Sequence, residues 1–150
     1  MANLREEPYK NYNFLVDLGT GDVDTLQAGF DQVVLPSATV DVIEYRAGNY
    51  STNQVIKFPG LVKYGNLVLR RGLIGALDLY EWWNQILSGQ GGYRRTVTVS
   101  LQNEDRSSIV VQWQFDRAWP RAYRFSKLDA RGKKVVVEFL ELAIESMEIL

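Results

Sequence analysis

The chain has 150 residues, with 17 Lys and Arg against 18 Asp and Glu, and neither Cys nor His. That length suits one domain with a real hydrophobic core, here residues 1–150, and the apolar and charged fractions are those of a globular protein. The missing residues exclude disulfides, thiol nucleophiles, Ser-His-Asp and Cys-His catalysis and ordinary zinc sites, so neither an enzyme nor a cofactor is expected. Carboxylate-only glycosidase chemistry survives this exclusion without positive support.

No apolar run approaches the roughly 20 residues of a membrane span, and Met1 to Lys10 lacks the apolar stretch of a secretory signal. Stable membrane insertion is therefore not expected. The charges are segregated. Eight acids lie up to Glu44 against Arg5 and Lys10, fifteen bases against six acids follow from Tyr45 to Lys134, and Glu138, Glu141, Glu145 and Glu148 close the chain without a base. Folding could mix these into an even surface; alternatively, oppositely charged faces meet between copies.

In chain order, Met1 to Tyr12 is polar and is expected to be extended or poorly ordered unless a partner holds it. Phe14, Val16 and Leu18 alternate as a first strand, and Gly19 to Asp22 makes a turn. That turn lacks the lysine and helix of a phosphate loop, and Asp22 and Asp24 lack the ligand ladder of a calcium loop. Leu26 to Leu35 is apolar-rich and ends at Pro36-Ser37. Thr39 to Tyr45 carries apolar residues on both faces, as a strand wetted on neither side would. Polar Ala47 to Gln54 and hydrophobic Val55 to Phe58 then suggest a hairpin whose arm projects from the body. Asn49-Tyr50-Ser51 fits a glycosylation acceptor formally, with no other sign of a glycosylating compartment.

Leu67 to Arg70 is a short strand, and the breaks at Gly72 and Gly75 introduce a change of period. Ala76, Leu79, Trp83 and Ile86 or Leu87 share one face, which predicts an amphipathic helix over about 76–87 flanking a sheet. Trp82 and Trp83 point about 100° apart, so one of them anchors the core while the other reaches the rim or a partner, and Trp83 is the one that shares the face of Leu79.

After the glycines at 89, 91 and 92, Thr96 to Leu101 and Ile109 to Phe115 form a predicted hairpin. Trp113 is expected in the core, and Trp119-Pro120 marks an edge or kink, with Trp119 as a further anchor. The final segment is ambiguous. Val135, Val137 and Phe139 alternate as a strand and Leu140, Leu142 and Ile144 take the other parity, which needs a bulge near Phe139, while the four glutamates have helical spacing.

Arg70-Arg71, Arg94-Arg95 and Arg117, Arg121 and Arg124 beside Trp119 and Tyr123 could form a single-strand nucleic-acid surface. They read better as solvated strand ends around core aromatics, and the acidic flanks oppose a freestanding nucleic-acid protein. Composition and period alone leave a ligand-binding barrel or an assembling subunit.

Phe58-Pro59-Gly60, Tyr64-Gly65-Asn66, Leu69 through Gly72, the Trp83 helix, Arg94-Arg95-Thr96-Val97, Ala118-Trp119-Pro120 and Leu128-Asp129-Ala130 occur in an ordered set. With Val42 to Arg46, Gly48 and the Val135 to Leu150 segment, this set resembles the tube-protein family of contractile phage tails and related bacterial contractile injection systems.

The resemblance implies a mainly β fold, a small antiparallel barrel or sandwich with one flanking helix and a projecting hairpin over about 44–58. It also implies hexameric rings stacked into a hollow tube. Glu44, Tyr45, Arg46, Asn49, Tyr50, Gln54 and Phe58 fall on the inter-subunit hairpin, Ala118-Trp119-Pro120 on a strand-ending kink, and the last segment on a strand. Thr96, Thr98 and Ser100, or alternatively Gln112 and Gln114, are expected to line the bore, because parity gives two faces and no radial direction.

Implied partners are copies of the chain, sheath and baseplate proteins, and a protein or DNA cargo. Assembly would occur in the bacterial cytoplasm, for a virion tail or an extracellular or cell-associated injection particle. A tube initiator or terminator is an alternative role, and a monomeric binding barrel is another.

Overall fold

The computed structural model describes residues 4–150. Nine strands carry most of the structure: β1 (Phe14–Asp17), β2 (Gln32–Val34), β3 (Ala38–Tyr45), β4 (Ile56–Tyr64), β5 (Leu67–Gly72), β6 (Arg95–Gln102), β7 (Ile109–Phe125), β8 (Val137–Ala143) and β9 (Ser146–Ile149). A 3-10 turn, Leu26–Ala28, precedes β2, and one helix, α1 (Asp78–Leu87), separates β5 from β6.

All pairings are antiparallel, in the order β1-β6-β7-β8-β5-β2, with β9 added to β7. Strand β7 serves two sheets. Its first half pairs with β6 and β9, and its second half with β8. Two extra residues in β7 make the change of direction. Arg95 faces Ala118 while Val97 faces Phe115, so β7 bulges at Asp116-Arg117, where Arg117 takes a left-handed φ of 54°. Leu142 faces Pro120 while Glu141 faces Ala122, so Arg121 is the second extra residue. The proline's missing N–H is tolerated at such an irregularity, and β7 continues to Phe125 where the resemblance implied a strand end.

The bend closes one face of each sheet on the other, giving an open sandwich instead of a closed barrel. Val16, Val97, Val99 and Phe115 from one sheet share a core with Leu67, Leu69, Leu140 and Leu142 from the other. Helix α1 buries Leu79 and Trp82 in the same core. Trp82, not Trp83, is the indole anchor: it is 1 % exposed, and its Nε1–H donates to the Tyr93 carbonyl at 2.7 Å. Positions i+3 and i+4 from Leu79 both lie on its face, and only the loop returning through Tyr93 decides between them. Trp83 and Trp119 are half-buried, and half-buried Trp113 packs against the core.

The last segment is strand, but its interruption falls at Ile144-Glu145 and not at Phe139. Glu145 N–H there donates to the Asp116 carbonyl beside the first bulge. Even-numbered residues of β8 face the core, so Glu138 is buried between the sheets with Leu140 and Leu142.

Its partner is Arg71, directly in register on β5, and each is 1 % exposed. Arg71 Nε donates to Glu138 at 2.7 Å and Nη1 to the Gln27 carbonyl at 2.7 Å. Nη1 and Nη2 also form a fork on Asp78 of α1 at 3.2 and 2.9 Å, while Tyr123 O–H donates to the free oxygen of Glu138 at 2.6 Å. A fully partnered buried pair is tolerated, whereas a half-removed one leaves an uncompensated charge. Arg71→Leu should therefore destabilise the fold by about 3–5 kcal/mol in chemical denaturation, and Arg71→Leu/Glu138→Leu should recover part of that loss.

Burial, and then the hydrogen bond to Glu138, push the Tyr123 phenol above its ordinary value. A raised folded pKa contributes stability that is complete below the unfolded value, about 10, and is lost as pH rises through the folded one. Urea melts at increasing pH should show this decline above pH about 10. Tyr123→Phe should reduce its slope.

Candidate assembly surfaces

Among the described residues, strands β3 and β4 pair only with each other, forming a two-stranded sheet of their own. The arm runs over 38–64, longer at its base than the 44–58 read from sequence. Its register shifts once, between Val40 and Val42, opposite Gly60. A Cβ at Gly60 would lie 3.0 Å from Ile43 Cγ1 and 3.1 Å from the Asp41 carbonyl, so a larger residue at this close crossing would force its neighbours to shift by a few tenths of an ångström.

Both faces of the arm are exposed, contrary to the buried strand that Thr39 to Tyr45 suggested. Val40, Val42, Ile43, Tyr45, Val55, Ile56, Phe58, Leu61 and Val62 all stand in solvent, Val42 at 63 % and Leu61 at 73 % exposure. Apolar residues on both faces do signal cover on both faces, but the described residues of this chain do not supply it. An isolated hairpin is marginal in water, and an apolar patch of this kind marks an interaction surface.

The sequence-selected residues occupy the outer part of the arm. Glu44 faces Lys57, Tyr45 faces Ile56 and Ile43 faces Phe58. Arg46 closes the tip by donating Nε–H and Nη2–H to the Thr52 carbonyl at 3.1 and 2.9 Å, and Tyr50 sits edge-on to Tyr45 at 6.4 Å. Asn49, Gln54 and Phe58 are exposed; Tyr50 is half-buried.

A second surface lies on the sheet β1-β6-β7-β9. Thr98 is in register with Asp17 on one side and Gln114 on the other, and Gln114 with Glu148. Ser100 faces Gln112, whose Nε2–H donates to Ser100 Oγ at 3.1 Å. Thr98, Ser100, Gln112 and Gln114 thus share one face, although parity alone left the two pairs as alternatives. Thr96 belongs to the same face by alternation along β6 and is exposed. Asp116 follows Gln114 in alternation and accepts hydrogen bonds from Gln114 Nε2 and Ser146 Oγ, each at 3.2 Å.

Val97, Val99 and Phe115 point the opposite way, into the core beneath α1. The polar face therefore lies away from the helix. Its Asp17, Asp116 and Glu148 are carboxylates that sequence reading did not select; they become neighbours of Thr98 and Gln114 only through the register of β1 and β9.

An apolar arm unpartnered within its own chain, beside a sheet with one greasy and one polar face, defines a subunit built to assemble. The chain belongs to the family of the T4-like virus tail tube protein gp19, whose model matches residues 10–148. It is a structural tube-forming subunit of the contractile-tail and injection-system type.

A chain of the extended sheath-tube complex of the PVC extracellular contractile injection system is 26 % identical, with a TM-score of 0.83 over 97 % of this chain and 93 % of that one. A chain of the anti-feeding prophage baseplate is also 26 % identical, at 0.82 over 97 % of each. One from the tube-terminating cap of the same prophage is 26 % identical, at 0.84 over 100 % of this chain and 95 % of that one. Hcp1 from Flavobacterium johnsoniae shares the fold at 14 % identity and a TM-score of 0.56, over 91 % of this chain and 93 % of that one. No curated protein sequence matches the chain.

Leu61→Asp and Val42→Asp place charges on the exposed arm and should leave the unfolding free energy of the isolated subunit within about 0.5 kcal/mol of the parent. They should abolish its higher-order assembly in sedimentation velocity if the arm is covered by another copy.

Proposed function

We propose that the protein forms six-membered rings that stack into the inner tube of a contractile tail or injection machine. The observation that carries this reading is the near-complete match to a chain of a sheath-tube complex, 97 % of this sequence at a TM-score of 0.83. The exposed arm supports it physically, because an apolar arm on one copy and its acceptor on the next make a heterologous contact that closes into a ring or propagates as a tube. The hairpin residues Glu44 to Phe58 reach the neighbouring subunit or the next ring. Thr96, Thr98, Gln112 and Gln114 face the bore with Asp17, Asp116 and Glu148, and Ser100, 6 % exposed, lies beneath them.

The chemistry of that wall is physical. Hydroxyls, amides and carboxylates present hydrated, non-adhesive surface to a passing protein or nucleic acid, and no reaction is catalysed. Subunits assemble in the bacterial cytoplasm on a baseplate and within a sheath, and work in a virion tail or an injection particle without residing stably in a membrane. The match to the tube-terminating cap favours a second reading, a terminator that ends such a tube.

Electron microscopy across a concentration series tests both readings. Long hollow tubes of six-fold symmetry support the main subunit, single rings that stop there support the terminator, and a strict monomer on a baseplate template opposes both. Because the chain lacks cysteine, Thr98→Cys gives a unique label. In assembled tubes it should react with a small maleimide but be shielded from one carrying a bulky polymer, whereas the unassembled subunit should react with both.

A further inference from the structure

The opposite outer face of the sandwich carries a different chemistry. On β5 and β8 the core side holds Leu67, Leu69, Leu140 and Leu142, so Arg70 and Phe139 alternate to the outside. Arg124, Phe139 and Arg70 stand in register across β7, β8 and β5. The two guanidinium carbons lie 4.1 and 5.9 Å from the centre of the Phe139 ring, which holds a cation on either side of one aromatic.

Beside this row the β7-β8 connection, 126–136, borders a groove of about 1010 Å³. Residues 121–134 contain six bases and one acid. Lys127, Arg131, Lys133 and Lys134 form no ion pair among the described residues. The local carboxylates do not compensate. Asp129 caps its own turn by accepting the Arg131 N–H at 3.0 Å, Glu141 is engaged by Arg121, and Asp31 is taken up in an ion pair with Arg70 at 3.8 Å. Arg70 Nε is buried without a hydrogen-bond acceptor. Within this cationic rim, Leu128 and Val135 are exposed at 82 % and 76 % and line the groove with Phe139.

We infer that this groove is the docking site for an acidic segment of the surrounding sheath subunit, with an apolar side chain seated against Leu128, Val135 and Phe139. The inference rests on the tube reading above. If the Thr98-Gln114 face lines the bore, the Arg70-Phe139 face lies across the sandwich from it and looks outward, where a sheath would lie. Uncompensated cations around an apolar floor fit a carboxylate-rich segment with a greasy anchor, and Arg124, held on the Phe139 ring and in no ion pair among the described residues, is presented without first breaking one. A contact carried by charges at its rim is strong enough to fix register and remains sensitive to salt, which suits a sheath that must slide free of the tube when it contracts.

The test uses preformed tubes of the full chain, with the sheath subunit of the same particle as probe and double-stranded DNA as a second probe. Lys127→Glu/Lys133→Glu/Lys134→Glu changes only exposed side chains and should still form tubes of unchanged diameter. Co-sedimentation should show sheath affinity falling at least tenfold in the variant, and wild-type binding weakening as salt rises. Unchanged sheath binding by variant tubes would overturn the inference. So would a variant that no longer forms tubes, which would place the groove between subunits. Loss of DNA binding with sheath binding intact would assign the groove to nucleic acid instead. A wild-type protein that forms no tubes, even on a baseplate, removes the tube reading and this inference with it.

Discussion

The structure depends on β7 belonging to two sheets. A single 17-residue strand cannot follow two packed sheets without gaining twist and changing direction, and the chain achieves this with two inserted residues, Arg117 and Arg121. An inserted residue leaves the ladder, and a long charged side chain can then reach solvent. Arg117 does so and meets Glu145 at 2.7 Å, in the break between β8 and β9; Arg121 meets Glu141 of β8. The glutamates that looked helical in spacing therefore have separate structural environments. Glu138 is in the core, Glu141 and Glu145 answer the two bulges, and Glu148 lies on the polar face.

The buried charge follows from the same architecture. The helix must lie over the core near the bend, and its first turn supplies Asp78 to Arg71 while β8 supplies Glu138. One guanidinium thus ties β5, β8, α1 and the 3-10 turn before β2, using both nitrogens of its fork and Nε. An apolar residue could fill this space, but it would not distinguish one register of β5 on β8 from another. With leucines paired at the neighbouring positions, Leu67 with Leu142 and Leu69 with Leu140, a two-residue slip would place Arg71 against an aliphatic side chain. The ionic pair makes that slip costly.

Much of the fold is legible in the chain because period and punctuation are local properties. The helix, the alternation in β6 and the first half of β7, and the projecting arm can be read from residues a few positions apart. What is not legible depends on pairing at long range. Trp82 and Trp83 are equally placed relative to Leu79, and a carbonyl eleven residues away selects the former. Thr98 and Gln114 share a face because β6 and β7 meet in that register, and Asp17 and Glu148 join them from strands almost at the two ends of the chain. Val135, Val137 and Phe139 at one parity and Leu140, Leu142 and Ile144 at the other left the inward face of the final strand open, and in β8 it is the even set, including a glutamate, that faces the core.

The arm shows the most consequential form of this ambiguity. Binary patterning reports whether a surface is to be kept from water, and is silent about which molecule covers it. Thr39 to Tyr45 has the pattern of a strand between two layers, and among the described residues of the single chain no layer lies on either side. Burying an exposed Leu, Ile, Val or Phe side chain is worth about 1.5–3 kcal/mol, so even partial cover of the arm's eight such residues offers a large driving force for association. The same arm also presents free strand edges that would invite indiscriminate pairing in a protein meant to remain monomeric. Its asymmetric connection to the body works against that outcome: the arm leaves beside β2 and returns into β5, with Gly65 N–H bound to the Ser37 carbonyl at 2.8 Å across its base. A base fixed in this way gives the arm one direction relative to the sandwich, so an apolar pattern that would otherwise favour aggregation can specify an ordered, repeating contact.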